Sequence, residues 1–299
     1  MAGETFEVRR LDASFGVEIS GLDLSRPLAA ATRAALVDLF HRQRLLLFRS
    51  DVLSPRAFLA FVRQFGEPDG STPHHDPIDV DGFKGLRLVS NIEEDGKAKG
   101  QFGNDEMGWH QDRWTDAAPP PTTILHGVEI TRRGGATGVA GMIEAYAGLP
   151  ADPKARVEGR TIHFSLIVTD REGKLEGADP DDPNLFRIVP LVQRHAVTDE
   201  PFLFMGARRI LSYIDTAPRL SGLSPDESAA LLDALYAHLS RPAFTYAHHW
   251  RPGDLLMWDN RCCMHRREAF DAGERRLLYA MPLVTSDCLW APPPERAAA

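Results

Sequence analysis

The chain has 299 residues, of which 43% are hydrophobic and 25% are charged, and its formal net charge at pH 7 is −8. This composition is typical of a folded globular protein and excludes a disordered chain, a collagen and a coiled coil. A nucleic-acid-binding protein needs a basic surface that replaces counterions. The acidic net charge and the absence of a basic block therefore argue against a nucleic-acid partner.

Hydropathy and cysteine content bear on the compartment. No apolar run approaches the roughly 18 residues that a membrane span needs, so we expect no membrane partner. The first 25 residues lack the apolar segment of a secretory signal. The three cysteines, Cys262, Cys263 and Cys288, are an odd number without metal-binding spacing. This usage favours a reducing compartment, and we expect a cytoplasmic protein.

Three helices are predicted from periodicity and end signals. Apolar residues at helical spacing predict the first helix over residues 30–43. The pair Ser54-Pro55 supplies a cap and a first-turn proline for the second helix, which is predicted to stop at Gly66. The third helix is predicted to begin at the capping box of residues 224–227.

The remainder of the chain has the character of strands and loops. Segments rich in β-forming residues are 45–48, 86–89, 123–130, 161–168, 244–250, 255–258 and 276–284. The polar stretches 93–106 and 170–184 are predicted to be long irregular loops, with a role as lids as a hypothesis. Scattered strands with few helices predict a mainly β fold, with a β-sandwich or jelly-roll core and helices outside. We expect one domain over residues 1–290 and a flexible tail at 291–299.

Two of the eleven histidines open a His-x-Asp triplet, beginning at His74 and at His110. About one or two such triplets arise by chance in a chain of this composition, so a triplet alone is weak evidence. His74 lies in a polar, proline-bounded loop that a turn explains. In an extended segment, His110 and Asp112 share one face, because strand side chains repeat every two residues. This geometry predicts that both bind one metal ion, with a third ligand from elsewhere.

A second informative stretch combines an apolar strand with polar residues. The strand runs into Trp258-Asp259-Asn260, and His265 follows five residues after Asn260. A further strand then begins at Arg276. Alternation groups Arg276 with residues 278, 280 and 282 on one side of this strand, and the pattern alone does not decide which side is the inner one.

Together these segments resemble the taurine dioxygenase/TfdA family of iron(II)- and 2-oxoglutarate-dependent dioxygenases. The resemblance extends from about residue 16 to residue 284. The residues that carry it are 16–24, 109–112, 134–137 and 258–260, with His265 and Arg276. Several coincident spacings are far more specific than a single triplet.

The resemblance implies a fold, cofactors and residue roles. The fold is a double-stranded β-helix, a cupin-like jelly roll with peripheral helices. His110, Asp112 and His265 are expected to hold Fe(II) and to leave three coordination positions open. Thr137, 27 residues after His110, and Arg276, 11 residues after His265, are expected to bind 2-oxoglutarate.

The implied reaction consumes dioxygen and 2-oxoglutarate and releases succinate and CO2. The protein would be an oxidoreductase that oxidises, and most often hydroxylates, an unactivated C–H bond of a small organic substrate. The family's habit also implies a homo-oligomer, either a dimer or a tetramer.

One position departs from the family pattern. Many members carry a second arginine 15 residues after the distal histidine, where it contacts an anionic substrate group, and this chain has Ala280 there. This departure argues against taurine as the substrate. Either the substrate is less acidic or its anion is bound elsewhere. The candidates for substrate contacts are Ala280 itself and His74, His75, Arg113, Trp114, Arg208 and Arg209.

Two other hypotheses stay open at the level of sequence. Zinc also accepts two histidines and an aspartate with one open position and can catalyse hydrolysis, but a zinc hydrolase leaves Thr137 and Arg276 unexplained. The chain could also be a non-catalytic jelly-roll protein that binds a ligand.

Overall fold

A computed structural model describes residues 4–71, 78–165, 186–208, 210 and 218–285. The helices of the described residues are α1 (Ala30–Gln43), α2 (Pro55–Val62), α3 (Met142–Ala147), α4 (Ala151–Val157) and α5 (Pro225–Leu239). The strands are, in chain order, β1 (Glu7–Arg10), β2 (Val17–Ser20), β3 (Leu45–Phe48), β4 (Glu67–Pro68), β5 (Ile78–Val80), β6 (Phe83–Ser90), β7 (Glu93–Glu94), β8 (Lys97–Ala98), β9 (Gln101–Phe102), β10 (Met107–His110), β11 (Thr122–Glu129), β12 (Thr137–Gly141), β13 (Thr161–Ser165), β14 (Phe186–Pro190), β15 (Val192–Arg194), β16 (Pro201–Leu203), β17 (Arg219–Leu220), β18 (Thr245–His248), β19 (Leu255–Asp259), β20 (Cys263–Arg267) and β21 (Leu277–Thr285).

Two mainly antiparallel sheets organise the chain. The large sheet has the strand order β1-β2-β3-β19-β11-β21-β6-β5, with β4 and β9 paired to β21 and β6. The small sheet has the order β10-β20-β12-β18. Apart from the pairs β1-β2, β2-β3, β5-β6 and β6-β9, strands that are neighbours in these sheets are far apart in the chain, as in a jelly roll. The predicted mainly β fold with peripheral helices is therefore confirmed.

Alternation along strand β19 shows how the layers pack. Leu255 and Met257 belong to a core shared with helices α1 and α2, on the outer side of the large sheet. Leu256 and Trp258 point the other way and pack against Val139 of the small sheet. Because successive side chains of a strand face opposite sides, β19 contributes to the cores on both faces of the large sheet. The space between the two sheets is the interior in which the polar residues discussed below converge.

The predicted helices are present, and their N-terminal signals act as expected. Helix α1 has the predicted bounds, and α2 begins after Ser54, whose hydroxyl accepts a hydrogen bond from the Ala57 N–H at 3.2 Å. Helix α2 ends at Val62 rather than at the predicted Gly66. A capping box starts α5: the Ser224 hydroxyl accepts from the Glu227 N–H at 3.3 Å, and the Glu227 carboxylate accepts from the Ser224 N–H at 2.9 Å.

The predicted strands also appear in the described residues, with small shifts at their ends, but several short strands were not predicted. Strands β10, β12 and β20 carry glycine, histidine and arginine rather than a run of β-forming residues. The prediction of an irregular loop over 93–106 is wrong, because β7 and β8 form a hairpin there and β9 pairs with β6. Strands β7, β8 and β9 could not be recognised from their polar composition, because their pairing depends on the adjacent sheet.

Three other features predicted from the sequence bear on chain organisation. The predicted loop 170–184 and the tail 291–299 lie outside the described residues. None of the described helices combines the length and the apolar character needed to cross a membrane.

The capping box of α5 gives a first test. Replacing Ser224 by Ala removes a hydrogen-bond acceptor for a first-turn N–H, and we expect the free energy of unfolding to fall by about 1 kcal/mol. The control is Ser240→Ala, since Ser240 is an exposed residue at the other end of α5 whose hydroxyl donates to the Tyr236 carbonyl. We expect this control to change stability by less than about 0.5 kcal/mol. Urea denaturation measures both, and equal effects would contradict the assignment.

Candidate active site

Strand pairing brings two of the predicted metal ligands directly opposite each other. Strand β10 runs antiparallel to β20, and His110 is the register partner of His265. Their ring centroids are 4.0 Å apart. The Asp112 Oδ1 atom lies 3.9 Å from His110 Nε2 and 3.6 Å from His265 Nε2. The structure thus brings these three side chains together, although His110 and His265 are 155 residues apart in the sequence.

Asp112 reaches this position from a turn and not from a strand. The sequence predicted one extended segment through residues 110–112, but β10 ends at His110 and Asp112 begins a turn. The side chain of Asn260 fixes this turn, because it accepts from the Asp112 N–H at 2.7 Å and donates to the Asp112 carbonyl at 3.0 Å. The Thr123 hydroxyl donates to Asp112 Oδ2 at 2.6 Å, which leaves Oδ1 facing the histidines.

The protonation states of the cluster suit metal binding. His110 Nδ1 lies 2.8 Å from the Gly108 carbonyl, which can only accept, so Nδ1 carries the proton and Nε2 presents a lone pair. Burial lowers the pKa of His110, and burial together with the nearby His110 lowers the pKa of His265 to about 3. Burial alone would raise the pKa of Asp112, but the two histidines and the Thr123 hydroxyl hold it below its usual range.

This donor set fits an iron(II) ion. Two neutral imidazoles and one carboxylate on one side of an ion make up the facial triad of non-haem iron oxygenases, which leaves the opposite positions open. The open side of His110, Asp112 and His265 faces a cavity of about 130 Å³ between the two sheets. The buried Nδ1 atom of His265 has no hydrogen-bond partner among the described residues.

Strand β21 forms one wall of this cavity. Leu278, Ala280 and Pro282 line it together with Arg276, which immediately precedes the strand. The residues in between face the helices on the outer side of the large sheet, as Tyr279 and Met281 do. The side that alternation could not orient is therefore settled, and the face with Arg276 points inward.

Arg276 is a buried cation without a carboxylate partner. Its side chain is almost fully buried, with 2% of its surface exposed, and no ion pair to it occurs within the described part of the chain. Its Nη2 donates to the Gly135 carbonyl at 3.2 Å, whereas Nη1 has no partner among those residues. Burial and the neighbouring Arg267 lower its pKa to about 9. A buried guanidinium in this state is suited to an incoming carboxylate.

The backbone beside Arg276 leaves no room for a side chain. Gly135 has a φ of +69°, and a Cβ atom built there would lie 3.2 Å from Arg276 Nε. Glycine is therefore required both by conformation and by the close approach of the guanidinium. This requirement gives a physical reason for Gly135 in the segment 134–137.

Thr137 lies on the same side of the cavity and is oriented by an indole. Its hydroxyl oxygen accepts a hydrogen bond from Trp250 Nε1 at 3.0 Å, which leaves the hydroxyl proton available for a ligand. Thr137 is 2% exposed and lines the cavity. In the small sheet it pairs with Arg267 of β20.

Sequence reasoning missed three arginines of the cavity, Arg87, Arg266 and Arg267. Arg267 donates to the Phe102 carbonyl at 2.7 Å, and its buried Nη1 has no partner among the described residues. Burial lowers the pKa of Arg267 to about 10. Its position two residues after His265 would have indicated the inner face, had strand β20 been predicted. Arg87 lies on β6, and its place beside β21 depends on a strand order that the sequence does not reveal.

The seven substrate candidates are distributed unevenly. Ala280 lines the cavity, but Arg113, Trp114 and Arg208 are not among its described lining residues. Arg113 forms ion pairs with Asp69 and Asp116, Trp114 packs in the core of the small sheet, and Arg208 contacts Asp233. His74, His75 and Arg209 lie outside the described residues.

A second buried cluster has a structural explanation. His195, Asp259 and Cys262 lie close enough to share an ion. However, His195 Nδ1 accepts from the Thr198 N–H at 3.1 Å, so its Nε2 carries the proton and donates to Asp259 Oδ2 at 2.9 Å. A histidine hydrogen-bonded at both nitrogens has no lone pair left for a metal.

The support of Asp112 by Thr123 gives the second test. The variant Thr123→Val keeps the shape of the side chain but removes the hydroxyl that orients the carboxylate. We expect the affinity for Mn(II), measured by calorimetric titration, to fall about 10- to 100-fold. The matched control is Thr122→Val, because the Thr122 hydroxyl is buried without a hydrogen-bond partner among the described residues. An unchanged affinity in the Thr123 variant would contradict this role.

The comparisons with known proteins agree with this geometry. The family profile described as "Taurine catabolism dioxygenase TauD, TfdA family" matches residues 7–281. Pentalenolactone F synthase of Streptomyces arenae is 32% identical over 264 residues, which cover 81% of this chain and 83% of that protein. The alpha-ketoglutarate-dependent 2,4-dichlorophenoxyacetate dioxygenase of Cupriavidus pinatubonensis is 30% identical over 278 residues, covering 88% of this chain and 92% of the relative.

A solved structure extends the likeness to the fold and to the cofactors. The crystal structure of AAD-2 in complex with Mn(II) and N-oxalylglycine has a TM-score of 0.74 and 26% sequence identity, and covers 93% of this chain and 97% of that one. The match over nearly the whole length, the jelly-roll core and the named relatives agree with one another. The chain therefore belongs to the TauD/TfdA family of dioxygenases, which use Fe(II), 2-oxoglutarate and O2.

Proposed function

We propose that the cavity between the two sheets is the active site, in which a C–H bond of a small organic substrate is oxidised. His110, Asp112 and His265 hold Fe(II), and Arg276 and Thr137 bind 2-oxoglutarate. The observation that carries the proposal is the convergence of the three ligand atoms on a cavity that also contains the guanidinium of Arg276. A zinc hydrolase would not explain the buried guanidinium of Arg276 in the cavity. A protein that only binds a ligand would not explain the cluster of three metal-binding side chains.

The bound cofactors supply the oxidising chemistry, in which O2 and 2-oxoglutarate are converted to succinate and CO2 while the substrate is hydroxylated. The protein's own residues position the reactants. The Gly108 carbonyl selects the tautomer of His110, Thr123 aims the carboxylate of Asp112, and Asn260 holds the Asp112 backbone. These contacts fix the ligands before the metal binds, so little conformational entropy is lost on binding.

Arg276 and Thr137 are the proposed hydrogen-bond donors to 2-oxoglutarate. The planar guanidinium of Arg276 would bind the distal carboxylate of 2-oxoglutarate, to which a group of this shape can donate two hydrogen bonds. The Thr137 hydroxyl donates a further hydrogen bond, and its orientation is set by Trp250. Apolar lining residues such as Leu125, Leu278 and Trp258 exclude water, which strengthens these electrostatic contacts.

Two broader features are also part of the proposal. Cys262 and Cys263 are free thiols and buried, which supports a reducing, cytoplasmic location. The homo-oligomer implied by the resemblance stays a prediction. The name of the Cupriavidus relative makes 2,4-dichlorophenoxyacetate a first compound for a screen that measures succinate release.

The metal ligands give the third test. We expect His110→Ala, Asp112→Ala and His265→Ala each to abolish the visible charge-transfer band that forms when Fe(II) and 2-oxoglutarate are added to the wild-type protein without oxygen. Succinate release in air should be lost with the band. His249→Ala is the control, because His249 is exposed and lies away from the cavity. Normal bands and full succinate release in all three variants would refute the proposed ligands, and their absence from the wild-type protein would favour zinc or a passive role.

The co-substrate site gives the fourth test, with two adjacent arginines as a matched pair. Arg276→Gln removes a buried charge that would pair with a carboxylate, and we expect the KM for 2-oxoglutarate to rise about 100-fold. Arg275 is exposed and pairs with Glu129 at 2.8 Å, so Arg275→Gln should leave this KM within about twofold of the wild-type value. Similar KM values in both variants would contradict the role of Arg276.

A further inference from the structure

A row of three residues crosses the large sheet at the cavity. Arg87 of β6 is the register partner of Ala280 of β21, and Ala280 is in turn the partner of Leu125 of β11. Residues directly opposite in antiparallel strands point to the same face, and all three line the cavity. The arginine is therefore aimed into the same space as the metal ligands.

The side chain of Arg87 is anchored at one nitrogen only. Its Nη2 donates to Asp69 Oδ2 at 2.5 Å and to the Ser71 carbonyl at 3.0 Å. Asp69 is buried and also accepts from Arg113 Nη1 at 2.6 Å, so one carboxylate is shared by two guanidinium groups. The Nε atom of Arg87 is buried and has no hydrogen-bond partner among the described residues. Arg87 is thus pre-oriented, and its Nε–H is a donor that no described residue uses.

Ala280 gives Arg87 the space that it needs. Its methyl group is the smallest side chain that still continues the row between Arg87 and Leu125. An arginine at position 280 would place like charges directly opposite each other, which is destabilising. A small residue at 280 and a cation at 87 therefore complement one another.

The side chains that line the cavity carry more positive than negative charge, which favours an anionic ligand. Among the described lining residues there are four arginines, Arg87, Arg266, Arg267 and Arg276, and one carboxylate, Asp112. The charges of Fe(II) and of the 2-oxoglutarate dianion cancel, and Asp112 balances Arg276. A positive excess is left, to which Arg266 and Arg267 contribute, while Arg87 shares the carboxylate of Asp69 with Arg113.

We propose that Arg87 is a specificity-determining residue that binds an anionic group, a carboxylate or a sulfonate, of the primary substrate. The inference rests on the proposed function, because it assumes that the cavity is the active site. It selects one of the two possibilities that Ala280 leaves open: the substrate is an anion, and the cation that binds it stands on the neighbouring strand.

The test measures binding and does not require turnover. The full chain is loaded with Mn(II) and N-oxalylglycine, and phenoxyacetate, hexanoate, phenylmethanesulfonate and the neutral phenoxyacetamide are titrated in a calorimeter. We expect at least one anion to bind the wild-type protein, and Arg87→Met to weaken its binding by at least about 30-fold. Binding of the amide should change by less than about threefold. If none of the three anions binds the wild-type protein, the inference is overturned.

Two further variants separate anion binding from structural support. Arg113→Met removes the other guanidinium from Asp69, so an equal loss of anion affinity in this variant would overturn the inference. In the double variant Arg87→Met/Ala280→Arg, the charge returns to the same row, and we expect anion affinity to recover by at least about tenfold. No recovery, in a protein that still binds N-oxalylglycine normally, would count against the inference.

Failure of this inference is distinguishable from failure of the proposed function. If the wild-type protein binds no N-oxalylglycine in the presence of Mn(II), the proposed function itself fails. If N-oxalylglycine binds equally well to the wild type and to Arg87→Met, while anion affinity is the same in both, only the role of Arg87 is lost.

Discussion

The pairing of strand β10 with strand β20 is the contact on which the active site depends. It places His110 directly opposite His265, although the two residues are far apart in the chain. A slip of one residue in this register would turn one of the two imidazoles to the other face of the sheet. The pairing of β20 with β12 extends the same constraint to Thr137. Two of the metal ligands and one of the co-substrate contacts therefore share one register along the small sheet.

The second constraint is that buried guanidinium groups must be stabilised without being neutralised. Arg276 and Arg267 are both buried, and their hydrogen bonds go to backbone carbonyls such as those of Gly135 and Phe102. A carbonyl dipole stabilises a guanidinium without neutralising it, so both groups keep a strong preference for an anion. Each carbonyl contact also fixes the direction of the side chain. The protein thus holds its cations in place for a ligand carboxylate.

Much of the fold could be predicted from the sequence because its signals are local. The capping box at Ser224, the cap at Ser54 and the apolar strands of the large sheet depend on neighbouring residues only. Strand β18 of the small sheet lies within the predicted segment 244–250. The other strands of this sheet could not be predicted from propensity, since β12 and β20 carry glycine, threonine, histidine and arginine. Their conformation follows from packing between two cores, which no local pattern records.

The candidate site divides in the same way. The spacing of His110, Asp112, His265, Thr137 and Arg276 was available from a resemblance, and the structure brings these residues to one cavity. The contributions of Thr123 and Arg87 were not available, because each depends on which strands are neighbours. Spacing along the chain can reveal residues that a family shares. It cannot reveal a residue whose role depends on lying next to such a position, on the neighbouring strand of the sheet.

The two walls of the cavity have different tasks. The small sheet supplies His110, His265 and Thr137, whose arrangement is dictated by the metal and the co-substrate. The large sheet supplies Thr123, which supports Asp112, and Arg276 lies at its edge, but its residues Arg87 and Ala280 contact neither the metal nor the co-substrate in this scheme. Because the row through Arg87 and Ala280 lies on separate strands, a cation can move from one strand to the next while the ligand geometry is preserved. Specificity and chemistry can thus change independently within one fold.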